Sequence, residues 1–218
     1  ERIKRISRGT AEIINAEGYI ILPGIFDMHV HLREPGREDK ETVASGTSAA
    51  LRGGVTSLLA MPNTIPAIDN LESINLLSRI IKETANTDVF IAAAITKGRL
   101  GKELVDMEAL VKTGAVAFTD DGSSVDDEEV LRQAFVKAKS LNVPVICHCE
   151  DKILSNNGAV NLGIISTKLG LRGISRESEY LRVKRDIELA QNEGATIHIA
   201  HVSCKESVEI IAQAKKSG

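Results

Sequence analysis

Two histidines one residue apart, His29 and His31, stand in the stretch Asp27-Met28-His29-Val30-His31-Leu32-Arg33, between an apolar run (20–26) and the turn signal Glu34-Pro35-Gly36. On a strand, successive side chains point to opposite faces, so Asp27, His29, His31 and Arg33 are expected on one side and Met28, Val30 and Leu32 on the other. A lone histidine is most often a satisfied core residue. A pair in alternation at the end of an apolar strand, with an acid and a guanidinium beside it, points instead to metal ligation. The chain holds three further histidines, His148, His198 and His201, and His148 and His201 each close another apolar run. His29, His31, His148 and His201 thus offer four neutral nitrogen donors, and Asp121 offers a carboxylate able to bridge two ions. Zinc, two ions per subunit, suits imidazole and carboxylate in these numbers, with manganese, cobalt or iron as alternatives. A bridged pair lowers the pKa of a shared water, making hydroxide available near neutrality for attack on an amide carbon. Arg33, on the ligand face, would hold a substrate carboxylate by a bidentate contact. Asn63, between Pro62 and Pro66, would bond a ring amide or carboxylate, or serve as a plain turn residue.

Other polar residues have blander readings. Cys147 and Cys149 flank His148, and alternation sends both to the face opposite it, where they pack as small apolar residues rather than bind metal as thiolates. His198 lies three residues before His201 and should face the other way, as a hydrogen-bonded buried ring.

These residues need elements to position them. From Gly24 onward one unit repeats, an apolar strand, a polar loop and an amphipathic helix. Strands are expected at 25–32, 56–61, 89–95, 115–119, 143–149 and 196–202. Helices are expected at about 40–52, across Ile74, Leu77, Ile80 and Ile81, then at 103–112, 127–140, 176–192 and 205–216, with a long loop after the fifth strand. Strict alternation of wholly apolar strands with helices argues for a parallel sheet covered by helices, either doubly wound or part of a barrel. Placement decides: His31, Asn63, Asp121, His148 and His201 sit at the ends of five different strands, as in a barrel, where nearly every strand donates a side chain at its C-terminal end. The expected fold is therefore α/β, a (β/α)8 TIM-type barrel of which residues 24–218 supply about six units, so that two more are missing. Residues 1–23 alternate apolar and polar with breaks at Gly9 and Gly18, and read as part of a small β-sandwich domain.

Composition narrows the function. The 218 residues are 43% hydrophobic with a formal charge of -3, ordinary for a globular domain and unlike a phosphate-tracking or membrane-surface protein. No run is long enough to span a bilayer, and the start lacks the apolar segment of a signal peptide. Three cysteines make no disulfide framework. The reading is a cytoplasmic protein with a small-molecule substrate, without nucleic acid or membrane as a partner.

Five motifs then stand in order: Asp27-Met28-His29-Val30-His31-Leu32-Arg33-Glu34-Pro35-Gly36, Met61-Pro62-Asn63-Thr64, Phe118-Thr119-Asp120-Asp121-Gly122, His148-Cys149-Glu150-Asp151 and His201-Val202-Ser203. Together they resemble the dihydroorotases of the bacterial and archaeal long-chain type, in the amidohydrolase superfamily, over essentially the whole chain. The resemblance implies reversible cyclisation of N-carbamoyl-L-aspartate to (S)-dihydroorotate with release of water, a step of pyrimidine synthesis, by a metal-bound hydroxide. It implies His29 and His31 on the more buried metal, His148 and His201 on the second, and Asp121 as the bridge with Asp120 as fallback. Arg33 and Asn63 match positions that bind the substrate carboxylate. Homodimerisation and association with aspartate transcarbamoylase are compatible partner states.

The family's general acid/base aspartate comes from strand eight, which this chain does not reach. The expectation is a stretch of a longer enzyme, inactive by itself. Two other readings remain. A related cyclic amidohydrolase (hydantoinase, dihydropyrimidinase or allantoinase) would keep the metal site, although those bridge with a carboxylated lysine on strand four and residues 115–121 hold no lysine. A non-catalytic scaffold subunit would be free to lose its ligands, and here they are complete.

Overall fold

The computed structural model describes residues 15–218. Its centre is a six-stranded parallel sheet built from β1 (Ile25–Val30), β2 (Val55–Ala60), β3 (Asp88–Ala93), β4 (Ala115–Phe118), β5 (Val145–Cys147) and β8 (Ile197–Ile199), paired in that order. Spatial order follows chain order without reversal. A doubly wound sheet needs a point where the order turns back, so this is the winding of a barrel wall.

Each crossover starts and stops at residues suited to it. Thr42 caps α1 (Val43–Arg52) by accepting from Ser45 N–H, Asn70 does the same for α2 (Leu71–Thr84) through Ser73 N–H, and Asp106 caps α3 (Met107–Thr113) through Ala109 N–H. Asp127 opens α4 (Glu128–Leu141), which ends on a left-handed Asn142. The longest helix, α7 (Glu177–Glu193), ends on Gly194 at φ 62°, and α8 (Lys205–Ser217) follows β8. The expected helix start at 103 moves to 107 because Leu104 is held in an extended bridge to Thr96.

The loop expected after the fifth strand has structure of its own. It carries α5 (Lys152–Ser155), β6 (Val160–Asn161), α6 (Ile164–Lys168) and β7 (Gly173–Ile174), with β6 and β7 paired to each other. Of the segment 1–23 read as sandwich strands, residues 1–14 lie outside the described residues. Residues 15–24 hold a turn closed by Tyr19 N–H on Ala16 C=O and no strand.

Strand alternation sorts the core into two layers. Leu58 and Ala60 of β2, Ile91 and Ala93 of β3, and Val145 of β5 join Ile74, Leu77, Leu131, Phe135, Val183 and Ile187 from the helices. Leu59, Ala92, Ala117 and Ile146 take the concave side with Met61 and Ala200. β2, β3, β4 and β5 bury residues on both faces, which is why they read as continuous apolar runs, whereas most of β1 is exposed.

Candidate metal centre

The strand ends break the simple period, and that break forms the site. β1 is one residue out of step with β2: Asp27 pairs with Leu58, yet Val30 pairs with Ala60. Such a bulge shifts which residues face inward. Phe26 lies on the concave side, stacked on Phe90 at 5.4 Å, and beyond the shift His29 and His31 face the same space while Val30 and Leu32 pack toward the helices. Asp27 does not join the histidines as alternation suggested. It is exposed and turns its carboxylate onto the N–H of His29. β1 also ends at Val30, two residues short of expectation, and Arg33 has φ 61°. Arg33 is half-buried.

Asp121 is the hub. Its Oδ1 lies 3.3 Å from His29 Nε2 and 3.4 Å from both His148 Nδ1 and His201 Nε2, while its Oδ2 lies 3.4 Å from His31 Nε2. His148 Nδ1 and His201 Nε2 are 2.9 Å apart. Two donor groups result, His29, His31 and Asp121, and Asp121, His148 and His201, each with donor atoms close enough to share one cation. Asp121 Oδ1 is nevertheless buried without a hydrogen-bond donor of proper geometry. A buried acceptor ringed by imidazole nitrogens fits a positive ion.

Asp120, the fallback for the bridge, is committed elsewhere. It accepts from Ile95 N–H at 2.8 Å, Thr96 N–H at 3.0 Å and the Thr96 hydroxyl, tying the loop after β4 to the end of β3. Burial raises its pKa against those hydrogen bonds. Burial also acts to raise Asp121, but the three imidazoles of His148, His201 and His29 outweigh it and hold that carboxyl far below the usual range.

The histidines have partners of their own. His31 Nδ1 lies 2.9 Å from Asn63 Oδ1, so the amide oxygen takes that proton and leaves Nε2 facing Asp121. Burial lowers the pKa of His31 against this bond. His148 Nε2 lies 3.2 Å from Glu150 Oε2. Burial would lower His148, but Asp121 and Glu150 together raise it. Burial likewise pushes Glu150 up, and bonds from Ser155 and His148 bring it below its ordinary value, so it is ionised near neutrality.

Three of these contacts involve residues to which sequence reasoning gave no role. Glu150 was visible two positions after His148. Ser124 accepts from Glu150 N–H at 3.2 Å and lies 2.6 and 2.8 Å from the carbonyl oxygens of His148 and Glu150. Arg99 donates to the Asp121 carbonyl at 2.7 Å. Nothing local marks the last two, since their partners lie over 20 residues away.

His198 corrects an expectation. It pairs with Ile146, which belongs to the concave layer, and burial lowers its pKa. It therefore shares the side of the donor cluster, half-buried, with no hydrogen bond to its ring among the described residues. His201 reaches the same side because its own backbone is left-handed, at φ 35°. Cys147 and Cys149 lie in the helix-facing core, where burial pushes both thiols up. A thiol so held is no metal ligand.

A curled parallel sheet whose strand ends aim imidazoles at one carboxylate defines the class as an α/β barrel of the amidohydrolase type. Residues 18–207 match the family model described as dihydro-orotase-like, and the chain belongs to that family. It is 52% identical over 214 residues to a dihydroorotase of Elusimicrobium minutum, covering 98% of this chain and 50% of the relative. It is 45% identical over 207 residues to a dihydroorotase of Bacillus caldolyticus, covering 95% and 48%. The chain thus spans about half the length of the curated relatives it matches. An L-hydantoinase from Arthrobacter aurescens shares the fold with TM-score 0.79 at 20% identity, over 93% of this chain and 47% of its own. A dihydroorotase from Saccharomyces cerevisiae does so with TM-score 0.64 at 17% identity, over 88% and 51%.

Proposed function

We propose that the protein carrying this chain is a dihydroorotase, interconverting N-carbamoyl-L-aspartate and (S)-dihydroorotate in pyrimidine synthesis. The observation that carries the reading is the buried, unpartnered Asp121 Oδ1 at the focus of three imidazoles, with a fourth on Oδ2, in a chain of the dihydro-orotase-like family. Family and donor set together imply a metal; we read it as zinc, two ions per subunit, held by His29, His31, Asp121, His148 and His201. An ion bound there supplies a Lewis acid and acidifies a water, the requirement for opening a cyclic amide.

The chain's own residues do the positioning. Asn63 sets the ring of His31, and Arg99 and Asp120 fix the two sides of the loop that presents Asp121. In the synthetic direction the ureido nitrogen joins the side-chain carboxyl carbon and water leaves. The second carboxylate is untouched and serves as the handle for Arg33, with the free amide nitrogen of Asn63 beside it. The absence of lysine from 115–121 favours this reading over relatives with a carboxylated lysine.

On this proposal residues 1–23 belong to a small β-sandwich unit and 24–218 to the barrel. The protein is cytoplasmic, consistent with three free, buried cysteines, and it forms a homodimer able to associate with aspartate transcarbamoylase. Light scattering of the full-length protein, alone and with that partner, tests the assembly. No described helix is long and apolar enough to cross a membrane.

Turnover of the full-length enzyme on dihydroorotate, a hydantoin and dihydrouracil tests the activity. Arg33→Ala should abolish turnover of dihydroorotate, the carboxylated substrate, by about 100-fold or more, the loss of a bidentate charged contact of about 3 kcal/mol. Equal loss on all three, or no turnover of dihydroorotate by the wild type, would refute the assignment.

A further inference from the structure

The two donor groups differ in what stands behind their histidines. His31 is backed by a neutral amide, Asn63, whereas His148 is backed by a carboxylate. The Glu150 contact at 3.2 Å falls on Nε2 and turns the Nδ1 edge of the ring toward Asp121 and His201. The arrangement is held on both sides. Ser124, three residues beyond Asp121, clasps the backbone of His148 and Glu150, so the turn bearing the acid moves with the loop bearing the hub. Glu150 also lines a cavity of about 320 Å³, together with His148, His201, Asn161, Arg176 and Glu179.

We propose that Glu150 is a positioning residue that fixes the ring orientation of His148 and so makes Asp121, His148 and His201 the group whose hold on a cation depends on a side chain standing behind one of its members. The inference rests on the metal-centre reading above. Outer partners of this kind are worth roughly 10- to 100-fold in metal affinity.

Two readouts on the full-length protein test it. In crystals of the metal-free protein, the His148 ring should hold one orientation, Nε2 on Glu150 and Nδ1 toward Asp121. Glu150→Gln, which still bonds the ring, should keep that orientation, and Glu150→Ala should give more than one. In Zn2+ titrations, Glu150→Ala should weaken one class of site about 10- to 100-fold, Glu150→Gln should fall between, and the other class should be unchanged. Asn63→Ala should affect the opposite class. Circular dichroism and thermal melting establish that each variant is folded. An unchanged His148 ring orientation in folded Glu150→Ala, or zinc affinities within twofold of wild type, would overturn the proposal. Should the wild type bind no zinc, the metal-centre reading fails, while the ring orientation in the metal-free protein still decides the role of Glu150.

Discussion

The donor cluster has two halves made by different means. His29 and His31 come from the end of one strand, and a bulge in that strand sets their direction. His148 and His201 lie 53 residues apart, follow two different strands, and are brought together by loops. The first half therefore leans on local backbone geometry and on Asn63. The second leans on a network from α7: Arg185 bonds the carbonyls of Val125 and Asp126, Arg182 pairs with both Asp126 and Asp151, and Ser124 carries that restraint to His148. The difference teaches that one helix outside the site can govern half of the centre.

The largest effect should come from the residue both halves share. Asp121→Asn is expected to empty both groups and to lower activity by about 1,000-fold or more, the loss of several kcal/mol of electrostatic stabilisation. Metal analysis of the folded variant checks it, and retained stoichiometry would show that Asp121 is not the hub.

Next is Arg185→Leu, which strips the partner from Asp186, a carboxyl buried beside Cys149 and paired to Arg185 at 2.6 Å. Breaking a buried pair costs about 3–5 kcal/mol, measurable by urea unfolding. Zinc affinity should fall for the half containing His148 and His201 and not for the other; equal loss in both would erase the distinction between the halves. Because the folded-state pKa of Asp186 is raised by burial, keeping that carboxyl ionised costs stability as pH climbs from its unfolded value through its folded one. Without Arg185 the folded pKa rises further, so the stability lost by the variant should be smallest in acid and grow as pH rises.

A smaller loss is expected of Asn63→Ala, about tenfold in zinc affinity, confined to the His29 and His31 half. Isothermal titration separates this from a substrate role, which would raise KM with zinc binding unchanged. The smallest effect belongs to Cys149→Ala, about 1 kcal/mol of stability with both zinc affinities unaltered. Loss of zinc there would mean that the thiol ligates after all.

The sequence was most informative where the chain is regular. Continuous apolar runs separated by amphipathic stretches identified the parallel strands and their crossovers, because a strand buried on both faces leaves no other pattern. It was least informative at the strand ends. The structured segment of α5, β6, α6 and β7 was read as a plain loop because its two-residue strands are too short to show a period. His198 was assigned to the wrong side because alternation was counted through His201, where the left-handed backbone interrupts it.

By itself, then, the sequence determined which residue types crowd the ends of the strands, and so the chemistry on offer: imidazoles, one acid pair, one arginine. Tertiary structure showed what separates the two acids. Asp120 turns to the backbone of Ile95 and Thr96, and Asp121 to the histidines, because neighbouring residues beyond a strand cannot both face the same space. It alone placed Asn63 on His31, Glu150 on His148 and Arg99 on the Asp121 carbonyl. Periodicity reports the direction of a side chain only while the backbone repeats, and at this centre the bulge in β1 and the left-handed turn at His201 end the repeat where the donors meet.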